Sequence, residues 1–173
     1  DGNSEVTGPE RRRLDIVKII EESIRRLSNP ETVTTTLSRR LTDPLVWIDR
    51  AQIIQTLINL ETNAVEAMPA GGELKLEVTG DEQVIVITIT DTGRGIPPEN
   101  LNQLFMPYFT TKPGGTGLGI PLAYAAVKAH AGSMAVESNA DPEHGPTGTR
   151  IIITLSRGGP TQPDKGLLII HDD

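Results

Sequence analysis

Apolar residues recur along this chain at two spacings, and the switches between them outline its elements. From Glu10 onward, Leu14, Val17, Ile20, Ile24 and Leu27 fall at helical steps with charges between them. That spacing predicts an amphipathic helix, stopped at Asn29-Pro30. The β-branched run Thr32 to Leu37 predicts a strand at a sheet edge. Leu45 to Ile48 predicts a short strand running into Asp49, whose carboxylate suits the N-cap of the next helix.

That helix, about Arg50 to Met68, carries two stripes. Ile53, Leu57, Leu60, Ala64 and Ala67 form an apolar face; Gln52, Thr56, Asn59, Asn63 and Glu66 form a polar one. Pro69 to Gly72 is a turn, and Glu73 to Thr79 alternates as a strand. Gly80-Asp81 turns the chain into a second alternating strand, Val84 to Thr90. That strand runs directly into Asp91-Thr-Gly-Arg-Gly-Ile96. Pro97-Pro98 opens a short helix through Leu101, and a further helix spans Ile120 to Ala131. Ser133 to Ser138 and Thr149 to Leu155 read as strands flanking a loop.

Strands arriving in adjacent pairs between helices predict an α+β fold, not a doubly wound parallel one. The expected architecture is a two-layer α/β sandwich, a mostly antiparallel mixed sheet covered on one face by helices. The domain is expected over residues 14–157, with a polar leader or linker at 1–13. Residues 158–173 are a Pro- and Gly-containing tail.

Composition narrows the function classes. At 173 residues the chain suits one domain, and with only 3% aromatics its core must be built from Leu, Ile, Val and Ala. A net charge of −7 argues against general nucleic-acid binding. The absence of cysteine excludes disulfides and thiolate metal sites and fits a cytoplasmic location. No apolar stretch approaches the roughly 20 residues of a membrane helix, so this segment is expected to make no membrane contact, although a parent protein is free to be membrane-anchored. The chain is expected to be a piece cut from a longer protein.

Four groups of residues bear on chemistry. Asp91 delivers a carboxylate acceptor at a strand end, and Gly93 and Gly95 let the backbone turn tightly or lie against a flat ligand such as a purine. The same letters also fit an ordinary turn. Asn59 and Asn63 leave their helix on one side, and an amide carbonyl is a hard oxygen ligand for Mg²⁺. The segment Gly114 to Gly119 precedes a helix, so its N–H groups suit phosphate, without the Lys-Ser/Thr pair of a P-loop. Lys112, after Thr110-Thr111, is a point charge near that segment, while Phe105 and Phe109 read as core anchors. His130 reads as a structural or C-terminal cap residue. His144 sits in a polar loop, and neither histidine is expected to have an acidic or hydroxyl partner nearby in sequence. Neither supports a metal cluster or a nucleophile–base pair.

Taken in order, these pieces resemble the ATP-binding catalytic domain of sensor histidine kinases, within the GHKL superfamily. Asn59-Leu-Glu-Thr-Asn-Ala-Val-Glu-Ala67 is similar to the N box, Asp91 to Ile96 to the G1 box, Phe105 to Lys112 to the F box, and Gly115-Thr-Gly-Leu-Gly119 to the G2 box. Gly148-Thr149 resembles the final glycine-containing motif. The combination of Asn-Ala-x-Glu-Ala-Met with Phe-Thr-Thr-Lys is similar to the nitrogen-regulator and dicarboxylate-sensor branch.

The resemblance implies the Bergerat ATP-binding fold and binding of ATP with Mg²⁺. Asp91 would accept the adenine amine, with Thr149 helping through water, and Gly93, Gly95 and Ile96 would shape the base pocket. Asn63 would hold Mg²⁺ and Asn59 would lie near the phosphates. Phe105, Thr111, Lys112, Gly115, Thr116, Gly117, Leu118 and Gly119 would bind or cover the nucleotide. Asn59, Asn63 and Lys112 would take the catalytic roles. Hydrolysing members of the superfamily carry a glutamate where this chain has Asn59, and an amide cannot act as a general base. Phosphoryl transfer therefore fits better than hydrolysis.

The implied partners are the dimerisation and histidine-phosphotransfer domain of the parent kinase and a response-regulator receiver domain. None of His130, His144 or His171 lies in a phosphoacceptor context, so this segment alone is not expected to autophosphorylate. Two other readings stand beside it: a stand-alone GHKL Ser/Thr kinase of the anti-sigma type, and a non-catalytic nucleotide-binding regulator. The tail Lys165 to Asp173 is either a disordered end or the first strand of a truncated receiver domain.

Overall fold

The computed structural model describes residues 8–104 and 119–158. The chain opens with strand β1 (Arg12–Asp15), paired antiparallel to β3 (Leu45–Ile48) with Leu14 opposite Val46. Helix α1 (Ile16–Arg26) therefore begins later than the periodicity from Glu10 suggests. The Asp15 carboxylate accepts the N–H groups of Val17 at 2.9 Å and Lys18 at 3.3 Å, which fixes the cap there. The residues before it are drawn into pairing with β3. Leu14 still packs against the core, but from a strand.

The main sheet has the order β2 (Val33–Arg40), β4 (Gly72–Gly80), β5 (Val84–Asp91), β7 (Gly148–Ser156), β6 (Ser133–Asn139). β2 lies at an edge, as its β-branched run suggests, and pairs parallel to β4; the other pairings are antiparallel. A parallel neighbour requires a crossover, and here it is made through β3 and α2 (Arg50–Glu66). Asp49 caps α2 as expected, its carboxylate accepting the Gln52 N–H at 3.1 Å.

After a one-turn helix α3 (Pro98–Leu101) comes α4 (Gly119–Ala129); helices α1, α2 and α4 cover one face, with α2 between the other two. Beneath them lie Leu74, Leu76 and Val78 of β4, Ile85, Ile87 and Ile89 of β5, and Ile151, Ile153 and Leu155 of β7, all buried. Burying each such side chain contributes about 1.5–3 kcal/mol. The two-residue period that sends the three β5 isoleucines inward also sends Asp91 inward. The strand thus carries its terminal carboxylate to the helix-covered face.

Helix α2 buries two polar side chains. Thr56 is buried, its hydroxyl donating to the Gln52 carbonyl at 2.8 Å, which satisfies the polar group inside the helix itself. Glu61 is fully buried toward α1, with Oε2 2.7 Å from the Ser23 hydroxyl. Burial pushes the Glu61 carboxyl up to about 7.

Candidate functional site

The turn after β5 is held on both sides. Gly93 N–H donates to Asp91 Oδ1 at 2.8 Å, and Arg94 N–H donates to the Ala67 carbonyl at 3.1 Å, at the end of α2. The close approach explains Gly93: a Cβ there would lie 2.4 Å from the Ala67 oxygen. Gly95 has φ +75°, and a Cβ would lie 2.0 Å from the Asn139 carbonyl oxygen. The turn is therefore wedged between the end of α2 and the end of β6. Ile96, half-buried, packs against the core beside it.

Across the sheet, Asp91 is in register with Thr149. Both are buried, Asp91 to 7% and Thr149 to 8% exposure, which leaves each a small accessible face. Burial raises the Asp91 carboxyl above its usual range, opposed by the N–H groups of Gly93 and Thr149 and the charge of Arg94. Both residues line a cleft of about 420 Å³ at this end of the sheet, with Thr92, Ser138, Asn139 and Gly148 also in its wall. Ser138 joins the parts. Its Oγ accepts the Ile96 N–H at 2.7 Å and lies 3.0 Å from the Gly148 carbonyl oxygen and 2.8 Å from Thr149 Oγ1.

Asn63 stands one helical turn before Ala67, whose N–H donates to the Asn63 carbonyl at 3.1 Å. The backbone carrying Asn63 and the Asp91–Ile96 turn thus meet at the end of α2. Asn59 lies one turn further back, its amide oxygen accepting from Gln55 Nε2 at 2.8 Å. Gly119 is the first residue of α4, which packs on α2, and a Cβ there would meet open space. Phe105, Thr111, Lys112, Gly115, Thr116, Gly117 and Leu118 lie outside the described residues, as does the Lys165–Asp173 tail.

The histidines resolve differently. His130, buried just beyond α4, has Nδ1 2.8 Å from the Ala126 carbonyl and Nε2 accepting the Asp49 N–H at 3.0 Å, a structural role. His144 does have an acidic partner, contrary to the reading of its loop as polar and unpaired: Nδ1 lies 2.6 Å from Asp141 Oδ2. The pair follows from the short 3₁₀ turn Pro142–His144, which brings residue 144 back over residue 141.

Two residues of consequence carry no motif signal. Ser138 is one hydroxyl in an ordinary alternating strand, and Glu61 falls between the two N-box asparagines. Only the register of β6 on β7 and the packing of α1 on α2 reveal them. An inward polar position on each element was the available signal.

A family model of histidine kinase-, DNA gyrase B- and HSP90-like ATPases matches residues 48–159. The chain belongs to this ATPase family. Among curated relatives, sporulation kinase A of Bacillus subtilis (strain 168) is 42% identical over 97 residues, covering 56% of this chain and 16% of that protein. Sensor histidine kinase ZraS of Salmonella typhimurium is 41% identical over 109 residues, covering 62% of this chain and 22% of that protein. The ATPase-family domain therefore spans about a fifth of the length of these relatives. Among solved structures, the mycobacterial sensor histidine kinase MprB superposes with a TM-score of 0.72 at 29% identity, covering 84% of this chain and 97% of that one. The nucleotide-free catalytic domain of histidine kinase ThkA gives 0.69 at 25%, covering 86% and 96%. The fold is that of histidine kinase catalytic domains, and the ATPase family implies ATP binding.

The residues present fit such a ligand. A buried carboxylate at a cleft, with one oxygen already held by Gly93, has acceptor capacity left for an exocyclic amine. Among the described residues no three His, Cys, Asp or Glu side chains cluster as a metal site. A Mg²⁺ ion held by one amide oxygen and by nucleotide phosphates needs no such cluster.

Proposed function

We propose that this domain presents the γ-phosphate of Mg-ATP to a phosphoacceptor histidine on the dimerisation domain of a cytoplasmic sensor-kinase segment, which then passes the phosphoryl group to a receiver domain. The domain itself is taken to occupy residues 14–157. Asp91 accepts the adenine amine, Thr149 supports it, and Gly93, Gly95 and Ile96 shape the base pocket. Asn63 holds Mg²⁺ through its amide oxygen, with Asn59 toward the phosphates. Lys112, Thr111, Phe105 and the Gly115–Gly119 segment are assigned to the phosphate end on the motif resemblance alone.

Bound Mg-ATP supplies the transferable phosphoryl group and part of the charge neutralisation. The protein's share is positioning and exclusion of water. The observation that carries transfer over hydrolysis is Asn59. Its amide oxygen is engaged by Gln55, and no carboxylate stands where a water-activating glutamate would. Glu61, the nearest acid on α2, is buried toward α1 and bonded at Ser23, on a different side of the helix from Asn59 and Asn63.

The test is reconstitution. Labelled ATP and Mg²⁺ are given to this chain, alone and joined to a histidine-bearing helical hairpin. Acid-labile label on the hairpin, and none on the isolated chain, is the expected result. Acid-stable label on serine or threonine would overturn it in favour of a Ser/Thr kinase.

A further inference from the structure

The hydroxyl of Ser138 is central to three contacts, and counting protons decides how they are arranged. Ile96 N–H can only donate, and the Gly148 carbonyl can only accept. Ser138 has a single proton. If that proton goes to Gly148, the Thr149 hydroxyl donates to Ser138 Oγ, and three hydrogen bonds form. If it goes to Thr149, only two form, and the Gly148 carbonyl loses its Ser138 partner. These groups are half-buried or buried, where an unmade bond is costly, so the first arrangement holds.

We infer that Ser138 is a positioning residue that sets the hydrogen-bond polarity of the base pocket. By taking the Thr149 proton, it leaves Thr149 Oγ1 with only acceptor capacity, cross-strand from the acceptor Asp91 and in the wall of the same cleft. Two acceptors side by side suit an exocyclic amine, which has two N–H bonds to give. They oppose a 6-oxo group, which has none. Ser138 therefore contributes to choosing a 6-aminopurine over a 6-oxopurine without needing to touch the base.

This rests on the ATP reading above, and the experiment separates the two. Affinities for ATP and inosine triphosphate are measured with Mg²⁺ by titration calorimetry, for wild type and Ser138→Ala, with thermal melting as the check on folding. Removing the hydroxyl leaves Thr149 free to donate toward the cleft. The preference for ATP over inosine triphosphate should narrow by about tenfold, the scale of one net hydrogen bond. Ser138→Thr, which keeps the hydroxyl, should retain the wild-type ratio. In a Thr149→Val background Ser138→Ala should leave the ratio unchanged. If both nucleotides weaken by the same factor in Ser138→Ala, Ser138 is only structural and the inference falls. If Ser138→Ala does not fold, Ser138→Cys, a weak donor of similar size, is judged by the same ratio. Wild type binding neither nucleotide would instead overturn the ATP reading itself.

Discussion

The backbone N–H of Asp49 donates to His130 Nε2 at 3.0 Å, joining the N-cap of α2 to the residue just past α4. The other ring nitrogen of His130 faces the Ala126 carbonyl at 2.8 Å, so the ring is the neutral tautomer with its proton on Nδ1. One imidazole thus satisfies groups at the ends of two helices that flank the candidate site.

Burial lowers the His130 pKa below 6.5. A histidine with a depressed folded-state pKa contributes stability above its unfolded pKa and loses it as pH falls below that value. His130→Ala should cost about 2 kcal/mol or more at pH 7.5, because the Asp49 N–H loses its partner and a cavity opens. The deficit relative to wild type should shrink as pH falls below 6.5. Urea unfolding of both proteins between pH 5 and pH 8 checks it.

Glu61 works in the opposite sense. Ser23 Oγ lies 2.7 Å from both the Ile20 carbonyl and Glu61 Oε2, but has one proton. A protonated Glu61 resolves this by donating to Ser23 while Ser23 donates to Ile20. Its other oxygen has no hydrogen-bond partner among the described residues, which a charged carboxylate would tolerate poorly. With the carboxyl raised from 4.5 to about 7, its contribution is fully present below pH 4.5 and is lost as pH rises through 7. The loss is about 3 kcal/mol by the usual conversion of pKa shift to free energy. Glu61→Gln should flatten this slope between pH 5 and pH 8 in the same unfolding series. An unchanged slope would place the titration elsewhere.

Gly95 is the tightest point of the turn after β5. Gly95→Ala must put a methyl into the space of the Asn139 carbonyl at a φ that alanine disfavours. Expected outcomes are a stability loss of about 1–3 kcal/mol and weaker Mg-ATP binding, as the turn moves off β6. Thermal melting and calorimetry on the same preparation read both.

The fold was legible where one period ran uninterrupted. The β4–β5 hairpin and α2 appear from alternation and helical spacing, and the same alternation foretells the inward Asp91. The start of α1 is not legible, because charges at Arg11–Arg13 are compatible with either a helix or a strand, and only pairing with β3 decides. In the site, Asp91, Gly93, Gly95 and Thr149 lie together at one end of the sheet. Ser138 and Glu61 were not legible, since a single polar side chain in an element becomes meaningful only when its neighbour across the packing is known. The His144–Asp141 pair is not legible either, because the turn back to Asp141 is a matter of three-dimensional geometry.

Asp91 is the residue on which base recognition depends. Its carboxylate accepts Gly93 N–H at 2.8 Å and still has acceptor capacity for a base. In Asp91→Asn the single amide oxygen must abandon one of those roles, and its NH₂ meets donors. Titration calorimetry with Mg-ATP, wild type against Asp91→Asn, tests this most directly. A charge-assisted bond of about 1.5–3 kcal/mol corresponds to a loss of affinity of roughly 10- to 150-fold, and that loss is expected in a variant that melts cooperatively. Unchanged affinity in the folded variant would contradict the assignment of Asp91 to the base.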